Sequence, residues 1–157
     1  MAQKVYLETS VVSYLAARPS RDLLVAGHQQ ATISWWDLER HRYDVVVSEL
    51  VIEEARVGNP EAAAKRLDYL KGLDLIEITG DVANLSHELV RGNATPEKAN
   101  TDALHISICA VHEIDYLLTW NCKHINNPHT RRLIDKICLG AGFTPTIICT
   151  PEELSEE

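Results

Sequence analysis

Acids and an amide stand at the ends of strand-like runs of this chain or on the helices beside them. Glu8-Thr9-Ser10 follows Val5-Tyr6-Leu7. Ser48 follows Tyr43–Val47, and Glu49, Glu53 and Glu54 lie on the helix it opens. Trp120-Asn121 follows Tyr116–Thr119, and Asp102 stands in the first turn of the apolar helix before that strand. In an open parallel sheet, ligands sit beyond the carboxyl ends of the strands. Three acids and one amide from four separate segments could therefore meet at one sheet edge. Oxygen donors of this kind suit a hard divalent cation such as Mg²⁺ or Mn²⁺. Such an ion activates water and clamps a phosphate during in-line displacement. Each residue also has a plain structural reading. An acid in a first helical turn complements the macrodipole, the three glutamates could form a solvated helix face, and Thr9 or Ser10 could cap a helix.

The elements that must position these groups are legible as alternating patterns. Lys4–Leu7, Tyr43–Val47, Leu75–Ile78, Tyr116–Thr119 and Thr146–Cys149 read as five short strands. Helical stretches separate them, which implies βαβ units and a mainly parallel sheet. Ser20 could cap a helix through Trp35-Trp36 to about Arg42, and Ser48 a helix to Val57, with Gly58 as its stop. Pro60 opens a helix to Lys71, Asp81 one to Arg91, and Asn100 or Thr101 one to His112; a last helix spans Thr130–Leu139. The helix around Ala103, Leu104, Ile106, Ile108 and Cys109 is apolar nearly all round and is expected to be buried.

The 157 residues suit one domain. We expect it to span residues 1–150, followed by an acidic tail, 151–157, outside the catalytic unit. With 45% apolar and 24% charged residues, disorder, collagen and coiled coil are excluded as whole-chain answers. No apolar run approaches the ~20 residues of a membrane span. The start runs straight into the first strand with no apolar signal core, so a cytoplasmic protein is expected. Net charge is −8, and the last six residues hold four of the acids, half of the excess. Such a chain does not hold nucleic acid by a broad basic surface. The four cysteines form no C-x-x-C pair and read as free thiols.

The motifs together resemble PIN-domain proteins, in particular the VapC-like toxins of bacterial toxin–antitoxin pairs. Val5-Tyr6-Leu7-Glu8-Thr9-Ser10 with the apolar run after it is similar to their opening. Ser48 through Gly58 resembles the second motif, Thr101-Asp102-Ala103-Leu104-His105 the third, and Tyr116 through Asn121 the fourth. Order and intervening lengths fit over nearly the whole chain. The resemblance implies a three-layer α/β/α PIN-like fold and a Mg²⁺- or Mn²⁺-dependent endoribonuclease, the toxin of a type II pair. It also implies an RNA substrate, an antitoxin partner and a homodimer. Carried over by position, the catalytic set is Glu8, Glu54, Asp102 and Asn121, with Glu8, Glu54 and Asp102 holding metal. Glu54 is preferred to Glu53 because it sits six after Ser48, and one helical step turns a side chain by ~100°. The chain departs from the family in having Glu8 where Asp is usual and Asn121 where Asp is frequent. The alternative is a catalytically weak PIN-like module that binds RNA or a protein partner.

Around this set, His105 lies one helical turn after Asp102 and could assist proton transfer, contact a phosphate or simply be a core histidine. Lys123 and His124 could reach an RNA phosphate, as could Arg18, Arg21, Arg131 and Arg132. Trp35, Trp36 and Trp120 could stack bases, although Trp35 and Trp36 cannot both face inward.

Overall fold

The computed structural model describes residues 1–156. In chain order its elements are β1 (Lys4–Leu7), α1 (Thr9–Ala16), α2 (Leu23–Leu38), β2 (Asp44–Ser48), α3 (Glu49–Ala55), α4 (Pro60–Leu70), β3 (Asp74–Ile76), α5 (Gly80–Arg91), α6 (Asn100–Val111), β4 (Tyr116–Leu118), α7 (Pro128–Gly140) and β5 (Ile147–Cys149). Short 3₁₀ turns cover Arg40–Arg42 and Glu97–Ala99. The five strands pair in the order β3-β2-β1-β4-β5, all parallel.

From β1 the chain steps outward to β2 and β3, then crosses back to β4 and β5 on the other side. Right-handed crossovers running in opposite directions along a sheet place their helices on opposite faces. Accordingly α1, α3 and α4 pack on one another with α2 against α1, while α5 packs on α6 and α7. This is the three-layer α/β/α arrangement expected from the sequence. Both faces of the central strands are covered. Val5, Tyr6, Leu7, Leu117 and Leu118 are fully buried, which is why these strands read as apolar runs rather than alternating ones. The crevice between β1 and β4, where strand order reverses, is the expected ligand position.

Several helix starts differ from the expected ones because a nearby oxygen reaches the free amides first. α2 is capped by Asp22, whose carboxylate accepts from Val25 N at 3.0 Å, while Ser20 Oγ accepts from Asp22 N. Thr79, not Asp81, caps α5. α6 starts at Asn100 without a side-chain cap. α7 starts two residues early at Pro128, capped by Asn127, since proline suits a first helical position. The tail folds back as a turn: Glu153 accepts from Thr150 N at 3.0 Å and Asn126 Nδ2 at 3.2 Å, and Leu154 packs against the core. Of the tryptophans, Trp35 is fully buried. Trp36 lies edge-on to Tyr69 with the Arg40 guanidinium 4.4 Å over its ring. Trp35 is thus covered within the chain, while Trp36 stays half-buried.

Candidate metal centre

The site grows from the first residue after β1. The chain leaves the sheet at Glu8, which is extended (φ −76°, ψ 153°) and caps α1 by accepting from Ser10 N. The Glu8 carboxylate also accepts from Ser10 Oγ at 2.5 Å and from Thr119 Oγ1 at 2.6 Å. Thr119 directly follows β4, so this carboxylate spans the two strands flanking the switch point. Ser10 Oγ in turn accepts from Trp120 N at 2.8 Å, tying the β4 exit to the start of α1. Only 6% of Glu8 is exposed, and an ionised carboxylate offers about four acceptor positions. Three are used here, leaving room for a cation.

Glu54 approaches from α3. Its Oε1 accepts from Thr9 Oγ1 at 2.7 Å and from His105 Nε2 at 2.6 Å. Because a carboxylate only accepts, the proton of this second bond is assigned to Nε2. The neutral ring then accepts at Nδ1 from Tyr6 O–H, 2.7 Å away, and Tyr6 accepts from Ser48 Oγ–H at 2.8 Å. Ser48, Tyr6 and His105 are each completely buried. A directed chain of hydrogen bonds thus runs from Ser48 through Tyr6 and His105 to Glu54. It explains why Ser48 opens α3 without capping it: its hydroxyl is engaged by Tyr6. Ligand atoms of Glu8, Glu54 and His105 all lie within 4.8 Å of one another; with both ring nitrogens of His105 engaged, the two carboxylates are the groups of this cluster left to hold a metal ion.

Asp102 lies one turn earlier on α6 than His105, at the same edge. Its Oδ2 accepts from His124 Nδ1 at 3.1 Å. Asn121 organises the loop that brings His124 there. Its Oδ1 accepts from His124 N at 3.0 Å, and its carbonyl accepts from Asn126 N at 2.8 Å. Glu8 and Glu54 are therefore brought together with His105, while Asp102 and Asn121 meet through His124. His105, with no exposed surface, is out of reach of a phosphate and instead holds Glu54. The signal for that role was its i+3 position after Asp102; its partner on another helix was not readable from spacing.

The remaining candidates divide. The ring of Trp120 stacks on His28 at 4.1 Å and donates from Nε1 to Thr32 Oγ1 at 2.8 Å, so one of its faces is taken by His28. Arg131, on α7, donates to Asn126 of the loop before it. Arg18, Arg21, Arg132 and Lys123 are exposed. Cys109, Cys138 and Cys149 are buried free thiols, and burial pushes Cys138 up to about 11 and Cys149 to about 12. They are packing groups rather than nucleophiles.

Burial raises the Glu54 carboxyl, but the hydrogen bonds it accepts from His105 and the Thr9 hydroxyl outweigh it, so Glu54 ionises below the usual glutamate range. A carboxyl whose folded pKa is depressed contributes stability above its unfolded value, lost as pH falls through the folded one. Wild type is expected to lose melting temperature as pH drops below about 4.3, and Glu54→Gln to show a flatter acid limb. Melting curves between neutral pH and strong acid check this; parallel acid limbs would refute it.

No protein-family model matches the sequence. No curated protein matches it either. Among solved structures, the chain is similar to the Mycobacterium tuberculosis VapC20 toxin, described as sarcin–ricin loop cleaving, with a TM-score of 0.59 and 17% identity. The match covers 89% of this chain and 96% of that one. At this identity the likeness is one of fold: the chain has the PIN-type α/β/α architecture, with its acidic cluster beyond the carboxyl ends of the central strands.

Proposed function

We propose that the chain is a metal-dependent endoribonuclease of the PIN type, the toxin of a type II toxin–antitoxin pair. The observation that carries this reading is the meeting of Glu8 and Glu54 at the switch point beside His105, which lies one helical turn after Asp102 on α6. Hard oxygen donors, one of them nearly buried, fit a hard divalent cation. Glu8, Glu54 and Asp102 would hold Mg²⁺ or Mn²⁺, which when bound supplies an acidified water and positive charge at the scissile phosphate. The chain's own residues do the positioning. Ser10 and Thr119 fix Glu8, His105 and Thr9 fix Glu54, and His124 orients Asp102. A carboxylate left unneutralised can accept the water's proton. Asn121 acts through His124, by setting the loop.

RNA enters this reading from the fold likeness to a toxin described as sarcin–ricin loop cleaving. An antitoxin and a homodimer belong to the same proposal, supported by Leu23, Leu24 and Leu38 of α2, each at least 70% exposed. Among the described residues no helix is long and apolar enough to cross a membrane.

The test is cleavage of a structured RNA by purified protein in Mn²⁺, with EDTA as the control. Cuts that appear with Mn²⁺ and vanish with EDTA are expected. RNA binding without cleavage in either condition would favour the non-catalytic PIN-like module.

A further inference from the structure

Beside the acidic cluster, on the far side of His124, lies a cavity of about 710 Å³ between the α5–α6 loop and the β4–α7 loop. It falls within the ~300–1,000 Å³ typical of ligand sites. Two full cations, Arg91 and Lys123, line it beside His87 and His124 against one lining acid, Glu97, and Arg91 also lies 3.9 Å from Glu88. Its wall also carries an unexplained polar atom. Thr95 is 2% exposed, lines the cavity, and its Oγ1 has no hydrogen-bond partner. A buried hydroxyl left unpaired is costly, so native proteins retain one where something else satisfies it. The walls are anchored. At Gly92 a Cβ would come 2.6 Å from Ile137 Cδ1, so α5 ends tight against α7. Asn127 Nδ2 donates to Lys123 O at 2.8 Å, holding the opposite loop.

We propose that this cavity is a nucleotide subsite, seating the ribonucleotide of a single-stranded segment next to the scissile phosphate. Lys123 and Arg91 contact its backbone phosphates, and Thr95 Oγ1 bonds a polar atom of the nucleoside. His124 joins the two sites, since Nδ1 donates to Asp102 while the same side chain lines the cavity. The inference rests on the ribonuclease reading for the identity of its ligand. RNA is favoured over a free anion because the cavity combines cations with amides, a hydroxyl and apolar Val90 and Pro96, the mixture a phosphate with an attached base requires.

The test measures binding, not cleavage. A fluorescent single-stranded oligoribonucleotide of about 12 nucleotides is titrated in EDTA at several salt concentrations. The proteins are wild type, Arg91→Gln/Lys123→Gln, Thr95→Val, and Lys65→Gln/Lys71→Gln as a control on and just after α4. Each single-strand phosphate contact contributes about 0.7 to the salt slope, so the first double variant should lose about 1.4 in slope and about 25-fold in affinity at 0.1 M salt. Thr95→Val should bind about 3–10-fold more weakly with an unchanged slope, since a neutral hydrogen bond is lost. It should melt no lower than wild type, because the hydroxyl it removes is unpaired. The control pair should bind as wild type does. No RNA binding by wild type, an unchanged slope in the Arg91/Lys123 variant, or an equal loss in the control pair would each overturn the subsite. If the predicted binding pattern appears but no RNA is cut, the ribonuclease reading falls and the subsite stands. Metal-dependent cleavage without the pattern has the opposite meaning.

Discussion

Asp102→Asn is expected to lower Mn²⁺-supported RNA cleavage by roughly 10²–10³-fold, the scale seen when one preorganised electrostatic contact is removed. Asp102 sits in the first turn of α6, where the helix dipole favours its charge. Its Oδ2 holds His124 at 3.1 Å. Asparagine keeps the shape and one acceptor oxygen but removes the negative charge, so His124 can stay while the cation is held less well. Stability should change little, by about 0.3–1 kcal/mol for the lost dipole interaction. Cleavage rates in Mn²⁺, with melting curves in EDTA, separate these effects. Wild-type cleavage by Asp102→Asn would remove Asp102 from the site.

Tyr6→Phe is expected to be the most destabilising single-atom change near the site. The phenol is fully buried and stands between two other fully buried groups, His105 Nδ1 at 2.7 Å and Ser48 Oγ at 2.8 Å. Burial raises its own ionisation well above the ordinary tyrosine value, with Cys109 and the Glu8 and Glu54 carboxylates adding to the rise. It therefore serves only as a neutral link. Removing its oxygen leaves two polar atoms without a partner, at about 1–3 kcal/mol each. For a chain of this size that corresponds to a fall in melting temperature of roughly 5–15 °C. His105 would also lose the bond that fixes its ring against Glu54, so cleavage should fall as well. A melting temperature within a degree or two of wild type would mean that water or repacking replaces the phenol.

What could be read from the sequence follows from how local each signal is. Val5-Tyr6-Leu7 and Tyr116-Leu117-Leu118 are apolar because both sheet faces are covered, so the central strands and the residues after them were visible directly. The order of motifs then carried the fold. The ends of helices were less legible: Asp22, Thr79 and Asn127 are caps decided by which oxygen lies nearest, and a neighbouring Ser or Asp fits the same pattern. The hydrogen-bond chain from Ser48 to Glu54 was not legible at all, because its members come from β1, β2, α3 and α6 and meet only after folding. Ser48 read as a cap and His105 as a phosphate contact, assisting acid–base group or core residue; burial against Tyr6 decides both. Trp120 read as a base platform, and its stack on His28 lies 92 positions away in sequence, beyond any local pattern.

The claim on which the account depends is that Glu8 and Glu54 hold a divalent cation, and calorimetric titration of Mn²⁺ into metal-free protein tests it without reference to any RNA. Wild type should give a saturable heat of binding, and Glu8→Gln should bind at least about tenfold more weakly, a loss of about 1.4 kcal/mol. The Gln oxygen can still accept from Ser10 N, so α1 keeps its cap. No binding by wild type, or equal binding by Glu8→Gln, would contradict the metal centre.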